Sequence, residues 1–367
     1  MKFMAVKPGK KNNSGIILLV VLWLLVILSL VALGLGRRTS IDLSLAKYSM
    51  GKLKADYSAR AGLTYAMEQV HKDSKDETTK DVDTLFQCGI KLDAGQTPEQ
   101  IFKHISVGEG YFDVNYSVKD PSGVDKVFYG LQDESSKINV NALGPENYLI
   151  LKHLIVFLGF ENSAAEAIAA AVVHWKDADS DAAVPPNGAE DDDYMTLEKP
   201  YHCKNLPLDS LEELLLIKGM TPEIFAAIKD YVTVYPKDAT SLSININTAA
   251  ELAIRALGHY AVERIPDSGT EADADSLAKK IIDYRAGDDK TLLTADDRSV
   301  ELDKADEMNL IGGEPNLLTN LQPMLTVSSA YFRANIRGVD ESSLVKSDIE
   351  AVFGHEDFKV VYWKRKQ

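Results

Sequence analysis

The stretch Ile16–Gly36, IILLVVLWLLVILSLVALGLG, contains 21 residues and no charged side chain. A helix rises about 1.5 Å per residue, so this stretch would be about 30 Å long, which matches the hydrocarbon core of a bilayer. Four lysines and no acidic residue precede Gly15, and two arginines follow the stretch directly. A surface helix of a soluble protein would show a polar face, and this one shows none. The sequence therefore predicts a helix that crosses a membrane.

Three kinds of N-terminal segment share this general pattern. A cleaved secretory signal has an apolar core of about 7–15 residues and then a small-residue cleavage site, and this stretch has neither. A single-pass anchor fits the length and the lysines on the cytoplasmic side. A prepilin fits as well, with a short basic leader (1–15) that is cut between Gly15 and Ile16. On these residues alone, the anchor and the prepilin both remain open.

The predicted helix extends well beyond the apolar stretch. Residues 16–70 contain no proline, and between Leu43 and Ala66 apolar side chains recur three or four positions apart. We expect one helix of about 55 residues and ~80 Å, of which 16–36 lies in lipid and the rest packs on a folded domain. This shape is typical of pilins and favours the prepilin over the plain anchor.

Charge and cysteine content narrow the function. The 367 residues carry a net charge of −15, and the acidic excess lies after the membrane stretch. This charge argues against nucleic-acid binding as the main activity. Two cysteines, Cys88 and Cys203, are too few for a disulfide scaffold or a metal site. They either pair in an oxidising compartment or remain as separate thiols.

After the long helix the chain first predicts a small sheet. Residues 71–100 are polar and irregular, which indicates a loop. Alternating apolar and polar residues at 111–118 predict a half-buried strand. The turn sequence at 120–123 and a second strand at 126–132 complete a hairpin.

Helical patterns follow, and strands return near the end. The helical stretches cover 147–230 and 248–285, and the final region predicts strands at 324–338 and 358–366 with a helix between them at 342–354. Strands at both ends with helices between them indicate a small sheet domain that carries a large helical insertion.

An acidic loop between Trp175 and Tyr201 is the candidate metal site. It holds seven carboxylates and no basic residue between Asp177 and Asp193. The alternate spacing of its first three aspartates suits a hard cation with oxygen ligands, and such a run of like charges repels itself unless a cation neutralises it. The loop is not an EF-hand, because Ala182 stands where the turn glycine belongs. A calcium site and a solvated acidic loop both remain open. The candidate calcium ligands are Asp177, Asp179, Asp181, Glu190, Asp191 and Asp193.

Two segments look like helix-hairpin-helix units, which bind DNA phosphates through backbone amides. They are 211–231 and 244–285, and the second is interrupted by an acidic insert that would repel DNA. We expect both to be packing modules. The seven histidines are scattered without metal-ligand spacing, and no nucleophile motif is present, so no enzymatic activity is predicted.

The order of these segments resembles the minor pseudopilin K family of type II secretion. The resemblance rests on the leader and apolar helix, on YGLQDESSKINVNAL (129–143), and on VVHWKDADSD (172–181) with NGAEDDDY (187–194). It also rests on KNLPLDSLEELLLIKG (204–219) and INTA (246–249).

This resemblance implies an α+β fold in which a long N-terminal transmembrane pilin helix precedes a pilin-like antiparallel sheet domain. A large inserted α-helical domain of SAM-like or helix-hairpin-helix-like units interrupts the sheet domain. The implied domains are the leader (1–15), the pilin helix (16–70), the first sheet part (71–142), the helical insertion (143–319) and the last sheet part (320–367).

The resemblance also implies a function. A non-enzymatic subunit is expected at the tip of the periplasmic pseudopilus, where it would start assembly with minor pseudopilins I and J and other pseudopilins. Prepilin peptidase would cut and methylate the N-terminus. The helix would lie in inner-membrane lipid, and the later domains in the periplasm. Relatives in this family carry calcium in the helical domain, which we assign here to the acidic loop.

One departure from the general prepilin pattern is informative. Most pilins have glutamate at the fifth mature position, and this chain has Val20 there. A carboxylate in lipid is costly unless it is paired, and in pilins the partner is understood to be the N-terminal amine of the subunit ahead. A tip subunit has no subunit ahead, so Val20 favours a position at the tip. A membrane-anchored DNA receptor of competence type is the alternative function, and a metal-dependent membrane hydrolase is a weaker third.

Overall fold

A computed structural model gives the fold and describes residues 14–119, 125–178, 185–302 and 304–366. Its first element is helix α1, Ser14–Asp73, which has 60 residues. Side chains from Gly15 to Met50 are all exposed, and burial starts at Gly51. Within the described residues, this is the one helix whose length and apolar composition would let it cross a membrane. The predicted long helix is therefore confirmed, with its apolar half free and its second half packed on the protein.

Within the described residues, eight further α-helices and eleven strands follow α1. The helices are α2 (Pro98–Phe102), α3 (Leu149–Phe157), α4 (Asn162–His174), α5 (Asp191–Met195), α6 (Pro222–Ile228), α7 (Glu251–Arg264), α8 (Glu271–Arg285) and α9 (Glu314–Leu321). The first strands are β1 (Ile105–Val107), β2 (Gly110–Lys119), β3 (Asp125–Tyr129), β4 (Gln132–Asp133), β5 (Ile138–Asn139) and β6 (Val232–Thr233). The last strands are β7 (Ile244–Asn245), β8 (Leu325–Thr326), β9 (Tyr331–Asp340), β10 (Lys346–Gly354) and β11 (Val360–Lys366).

The main sheet is antiparallel and joins the two ends of the chain. Its order is β1-β2-β9-β10-β11, with β3 paired to β2 and β4 paired to β9. The second half of α1 packs on one face of this sheet, against β9, β10 and β2. The fold is thus α+β, with a long apolar N-terminal helix laid on an antiparallel sheet, as expected.

Small residues let α1 lie very close to the sheet. Ala55 and Ala59 of α1 are fully buried. A Cβ atom at Gly338 of β9 would lie 2.1 Å from the carbonyl oxygen of Ala55 and 2.4 Å from the amide nitrogen of Ala59. Such contacts leave no room for a side chain. The helix backbone therefore rests directly on the strand backbone at this point.

The helix predicted at 342–354 is wrong, because this segment forms β10. Its buried side chains alternate: Ile349, Ala351 and Phe353 all face the sheet core. Short apolar runs fit both a helical and a strand period, and here pairing with β9 and β11 on both sides selects the strand. The helical prediction at 211–216 needs a smaller correction, since Leu211–Leu216 is a 3-10 helix.

The protein has two hydrophobic cores. One lies between α1 and the main sheet. The other lies among the helices α3 through α9, and we call this part of the protein the helical domain. Cys88 belongs to the first core and Cys203 to the second, and both are free thiols. Of the two possibilities left open for these cysteines, the structure therefore shows separate thiols.

Candidate functional sites: the interdomain joint and the acidic loop

The chain crosses between the two domains twice, and short parallel strand pairs brace both crossings. On the way out, β5 pairs with β6, and on the way back β8 pairs with β7. The outgoing segment is DESSKINVN, residues 133–141. We call this segment and its hydrogen-bond partners the interdomain joint.

Glu134 is the charged centre of the joint and is completely buried. Its carboxylate accepts hydrogen bonds from Arg333 Nε at 2.6 Å, Lys137 Nζ at 2.9 Å and Thr233 Oγ1 at 2.5 Å. Burial opposes its ionisation, but Lys137 and Arg333 outweigh burial and lower the pKa of Glu134 to about 2. Because Arg333 lies on β9 and Thr233 on β6, this one carboxylate ties the sheet to the helical domain.

Asp133 makes the second link and is also buried. Its Oδ2 accepts from Asn245 Nδ2 at 3.0 Å and lies 2.5 Å from Thr248 Oγ1, while its Oδ1 accepts from the Ser135 amide at 2.6 Å. Asn245 Nδ2 also contacts Ser329 Oγ at 3.3 Å. Both crossings of the chain therefore meet at Asp133.

Two asparagines extend the joint into the helical domain. Asn139 Nδ2 donates to the carbonyl of Pro236, and Asn141 Nδ2 donates to the carbonyls of Leu208 and Val234. Buried backbone carbonyls need such donors, because water cannot reach them. Every polar residue that marks the DESSKINVN segment as family-like thus has a structural partner.

The acidic loop lies between α4 and α5. The structure brings Asp177 and Glu190 together around His174, the last residue of α4. His174 Nδ1 lies 3.0 Å from Glu190 Oε1 and 3.6 Å from Asp177 Oδ2. Asp179 and Asp181 lie outside the described residues. His174 is one of the seven scattered histidines and is not among the ligands predicted from sequence.

The imidazole of His174 faces two carboxyl groups, Asp177 and Glu190. Its Nε2 lies 2.8 Å from the carbonyl oxygen of Pro185, so Nε2 carries a hydrogen and donates it. In a neutral ring, Nδ1 would then point a lone pair at two carboxylates. Either a proton on Nδ1 or a metal ion between these three groups removes that repulsion. One nitrogen and two carboxylates can hold a divalent cation, although an imidazole is not the usual choice of calcium.

The other two predicted ligands in the loop make different contacts. Asp191 accepts hydrogen bonds from His202 Nδ1 at 2.8 Å and from the Cys203 amide at 2.7 Å, and these bonds lower its pKa. Asp193 binds Lys218 Nζ at 2.7 Å, which lowers its pKa, and accepts from the Glu190 amide at 3.2 Å. The structure thus places both aspartates where they hold the loop to neighbouring segments.

The remaining predicted positions lie on α1. Gly15 and Ile16 stand in its first turn, and the side chain of Val20 is exposed on the apolar half of the helix. In the first hairpin look-alike, Lys218 forms an ion pair with Asp193.

The fold and these sites define a class: a pilin-like protein with an apolar N-terminal helix and a helical domain built into its sheet. A protein-family model described as type II secretion system, protein K, matches residues 136–237, which include part of the joint and the acidic loop. Type II secretion system protein K of Pectobacterium carotovorum is 28% identical over 246 residues, 66% of this chain and 68% of that protein. The protein of the same name from Aeromonas hydrophila is 25% identical over 98% of both chains.

A solved structure shows the same fold. It is titled the crystal structure of the GspK-GspI-GspJ complex from the type 2 secretion system of enterotoxigenic Escherichia coli. The matching chain is 18% identical with a TM-score of 0.58, over 89% of this chain and 99% of that one. The chain is thus similar in sequence to type II secretion system protein K from several bacteria, and it shares the fold of the matched chain in that complex.

Proposed function

We propose that this protein is a minor pseudopilin that occupies the tip of the type II secretion pseudopilus and starts its assembly together with minor pseudopilins I and J. The observation that carries the tip position is Val20, an apolar residue where a pilin inside the fibre needs a carboxylate. The solved neighbour supports the partners, since its title names a complex of K with I and J. The helical domain supports the tip as well, because so large an addition to the pilin fold would obstruct packing within a fibre.

The same proposal includes how the protein reaches its place. Prepilin peptidase cuts between Gly15 and Ile16 and methylates the new N-terminus. The helix then stays in the inner membrane, and the sheet and helical domains face the periplasm. The charge pattern supports this orientation, because the lysines before Gly15 suit the cytoplasmic side.

Co-purification of the full chain tests the assembly. The tagged protein is extracted in mild detergent from cells that also contain minor pseudopilins I and J, or only one of them. We expect a complex of all three proteins that withstands gel filtration. Elution of this chain alone under all conditions would contradict the proposal. A DNA gel shift at low salt, where phosphate binding is strongest, tests the receptor alternative on the same sample.

We further propose that the acidic loop binds calcium. The support is the approach of Asp177 and Glu190 to each other and to His174, which places three possible ligand atoms together. Asp177 and Glu190 would supply carboxylate oxygens, together with Asp179 and Asp181 from the same loop. The ion would hold the loop closed over the end of α4.

Thermal unfolding with and without calcium tests this site. A ligand that binds only the folded state stabilises it, so calcium should raise the melting temperature and magnesium should do so less. Asp177→Asn should abolish this response. Asp193→Asn is the matched control, because Asp193 lies in the same loop but contacts Lys218. Equal melting curves in calcium and in chelator would refute the calcium site, and a response to zinc alone would assign the His174 cluster to another metal.

A further inference from the structure

Asp133 has an unusual environment for a carboxyl group. It is 4% exposed, and within the described parts of the chain no lysine or arginine forms an ion pair with it. Lys137 and Arg333, the cations of the joint, both bond to Glu134. The carboxyl group of Asp133 thus lies where both interdomain connections meet, and among the described residues it has no ion-pair partner.

Other acids, and few cations, face Asp133 from the surrounding elements. Asp83 and Cys88 approach from the loop after α1, and Asp73 and His355 lie near them. Arg285 of α8 lines the same cavity as Asp133. Arg285 Nη1 is bonded to the carbonyls of Ile246 and Ala249. Burial is the main cause that raises the pKa of Asp133, to about 7, and of Asp83, to about 6.

The hydrogen-bond geometry around Thr248 accommodates a proton on Asp133. Thr248 Oγ1 lies 2.5 Å from Asp133 Oδ2 and 3.5 Å from the carbonyl oxygen of Asn245. The hydroxyl has one hydrogen and cannot donate to both oxygens. If Asp133 is protonated, it donates to Thr248, and Thr248 donates onward to Asn245. The neutral acid therefore completes a chain of bonds from β4 to the segment before α7.

Water can reach this chain of hydrogen bonds. A cavity of about 1400 Å³ separates the outer face of the sheet from the helical domain, and Asp133, Ser136 and Thr248 belong to its lining. Protons can therefore exchange at Asp133 without unfolding of either domain.

We propose that Asp133 is a proton-controlled lock that fastens the helical domain to the sheet domain when it is protonated and loosens this attachment when it ionises. The lock acts through Thr248 and Asn245, and the nearby Asp83 shifts the pH at which it releases. The inference concerns the joint alone and holds whichever proteins the chain assembles with.

The sign of the pH effect follows from the direction in which burial moves the pKa of Asp133. The folded-state pKa of Asp133 lies above the unfolded value, so protonation stabilises the closed joint fully below that unfolded value. This contribution is lost as pH rises through about 7. The joint should be tightest under acid conditions and open more often at pH 8.

Hydrogen exchange on the full chain in detergent tests the lock. Amides at 245–249 and 327–331 are followed from pH 5 to pH 8, after correction for intrinsic exchange. If Asp133 has its ordinary pKa of about 4 in the open joint, a pKa of about 7 in the closed joint predicts about 90-fold more opening at pH 8 than at pH 5. Asp133→Asn, which cannot ionise at this position, should lose most of this rise and keep only the smaller change that Asp83 causes through the Ser329 amide. An equal rise in wild type and Asp133→Asn would overturn the proposal.

Two further measurements test the proposal even if Asp133→Asn does not fold. Infrared difference spectra of the wild type should show a protonated carboxyl band at pH 5 that disappears by pH 8, and its absence at pH 5 would refute the lock. Asp83→Asn removes a neighbouring negative charge, so the midpoint of the wild-type exchange profile should move to lower pH. A midpoint that stays in place would show that Asp83 does not tune the lock.

Discussion

Replacing Glu134 with alanine should destabilise the protein by about 3 kcal/mol, near the lower end of the cost of breaking a buried ion pair. The carboxylate is completely buried, and its removal leaves Lys137, whose side chain is 13% exposed, without its ion-pair partner. Arg333 is affected less, because it keeps its ion pair with Glu350. The pKa of Glu134 gives a similar magnitude: a decrease from 4.5 to about 2 corresponds to about 3 kcal/mol.

The pH dependence of this effect has a definite sign. Since the folded-state pKa of Glu134 is lowered, its contribution is present above the unfolded value of about 4.5 and is lost as pH falls towards 2. The difference between wild type and Glu134→Ala should therefore be full at pH 7 and smaller at pH 3. Asp133 has the opposite sign, so a stability profile measured across both ranges separates the two residues.

Urea unfolding of the full chain in detergent, followed by circular dichroism, measures the change. Glu134→Gln keeps the shape and one acceptor, and it should lose less stability than alanine does. Glu99→Ala is the control, because the Glu99–Lys103 pair is exposed and its loss should leave the unfolding midpoint unchanged. If Glu134→Ala unfolds within about 1 kcal/mol of the wild type, the joint is not held by this carboxylate.

Three other substitutions test the long helix. Gly338→Ala should lower the free energy of unfolding by about 1–3 kcal/mol, because its new methyl group meets the backbone of α1. Gly51→Ala is the control in the same unfolding assay. It should cost less, because its methyl group meets only side chains that can move, chiefly that of Ser343. Val20→Glu should make the free energy of membrane insertion less favourable by on the order of 2–3 kcal/mol and should impair secretion. Val20→Leu is the control and should do neither. Normal secretion by the glutamate variant would argue against the tip position. Gly15→Val should block leader removal, so that N-terminal sequencing finds Ile16 first in the wild type and an uncut chain in the variant.

Local features allowed some elements to be predicted correctly from sequence. The apolar run 16–36 and the absence of proline up to residue 70 were sufficient for α1, because a helix satisfies its own backbone hydrogen bonds. The alternation at 111–118 was sufficient for β2. The acidic loop was visible as a run of carboxylates, and Asp177 and Glu190 were two of its six candidate ligands.

Other features depend on residues that are distant in the chain. The segment 342–354 fits a helical and a strand period equally, and the choice came from β9 and β11, which lie on either side of it in space. His174 looked like a single scattered histidine until the loop returned Glu190 to it, 16 positions later. Glu134 and Asp133 were conspicuous as parts of a motif. Their role became evident only when the fold placed Arg333 and Thr248 beside them, because a buried charge acquires its meaning from the partners that the tertiary structure supplies.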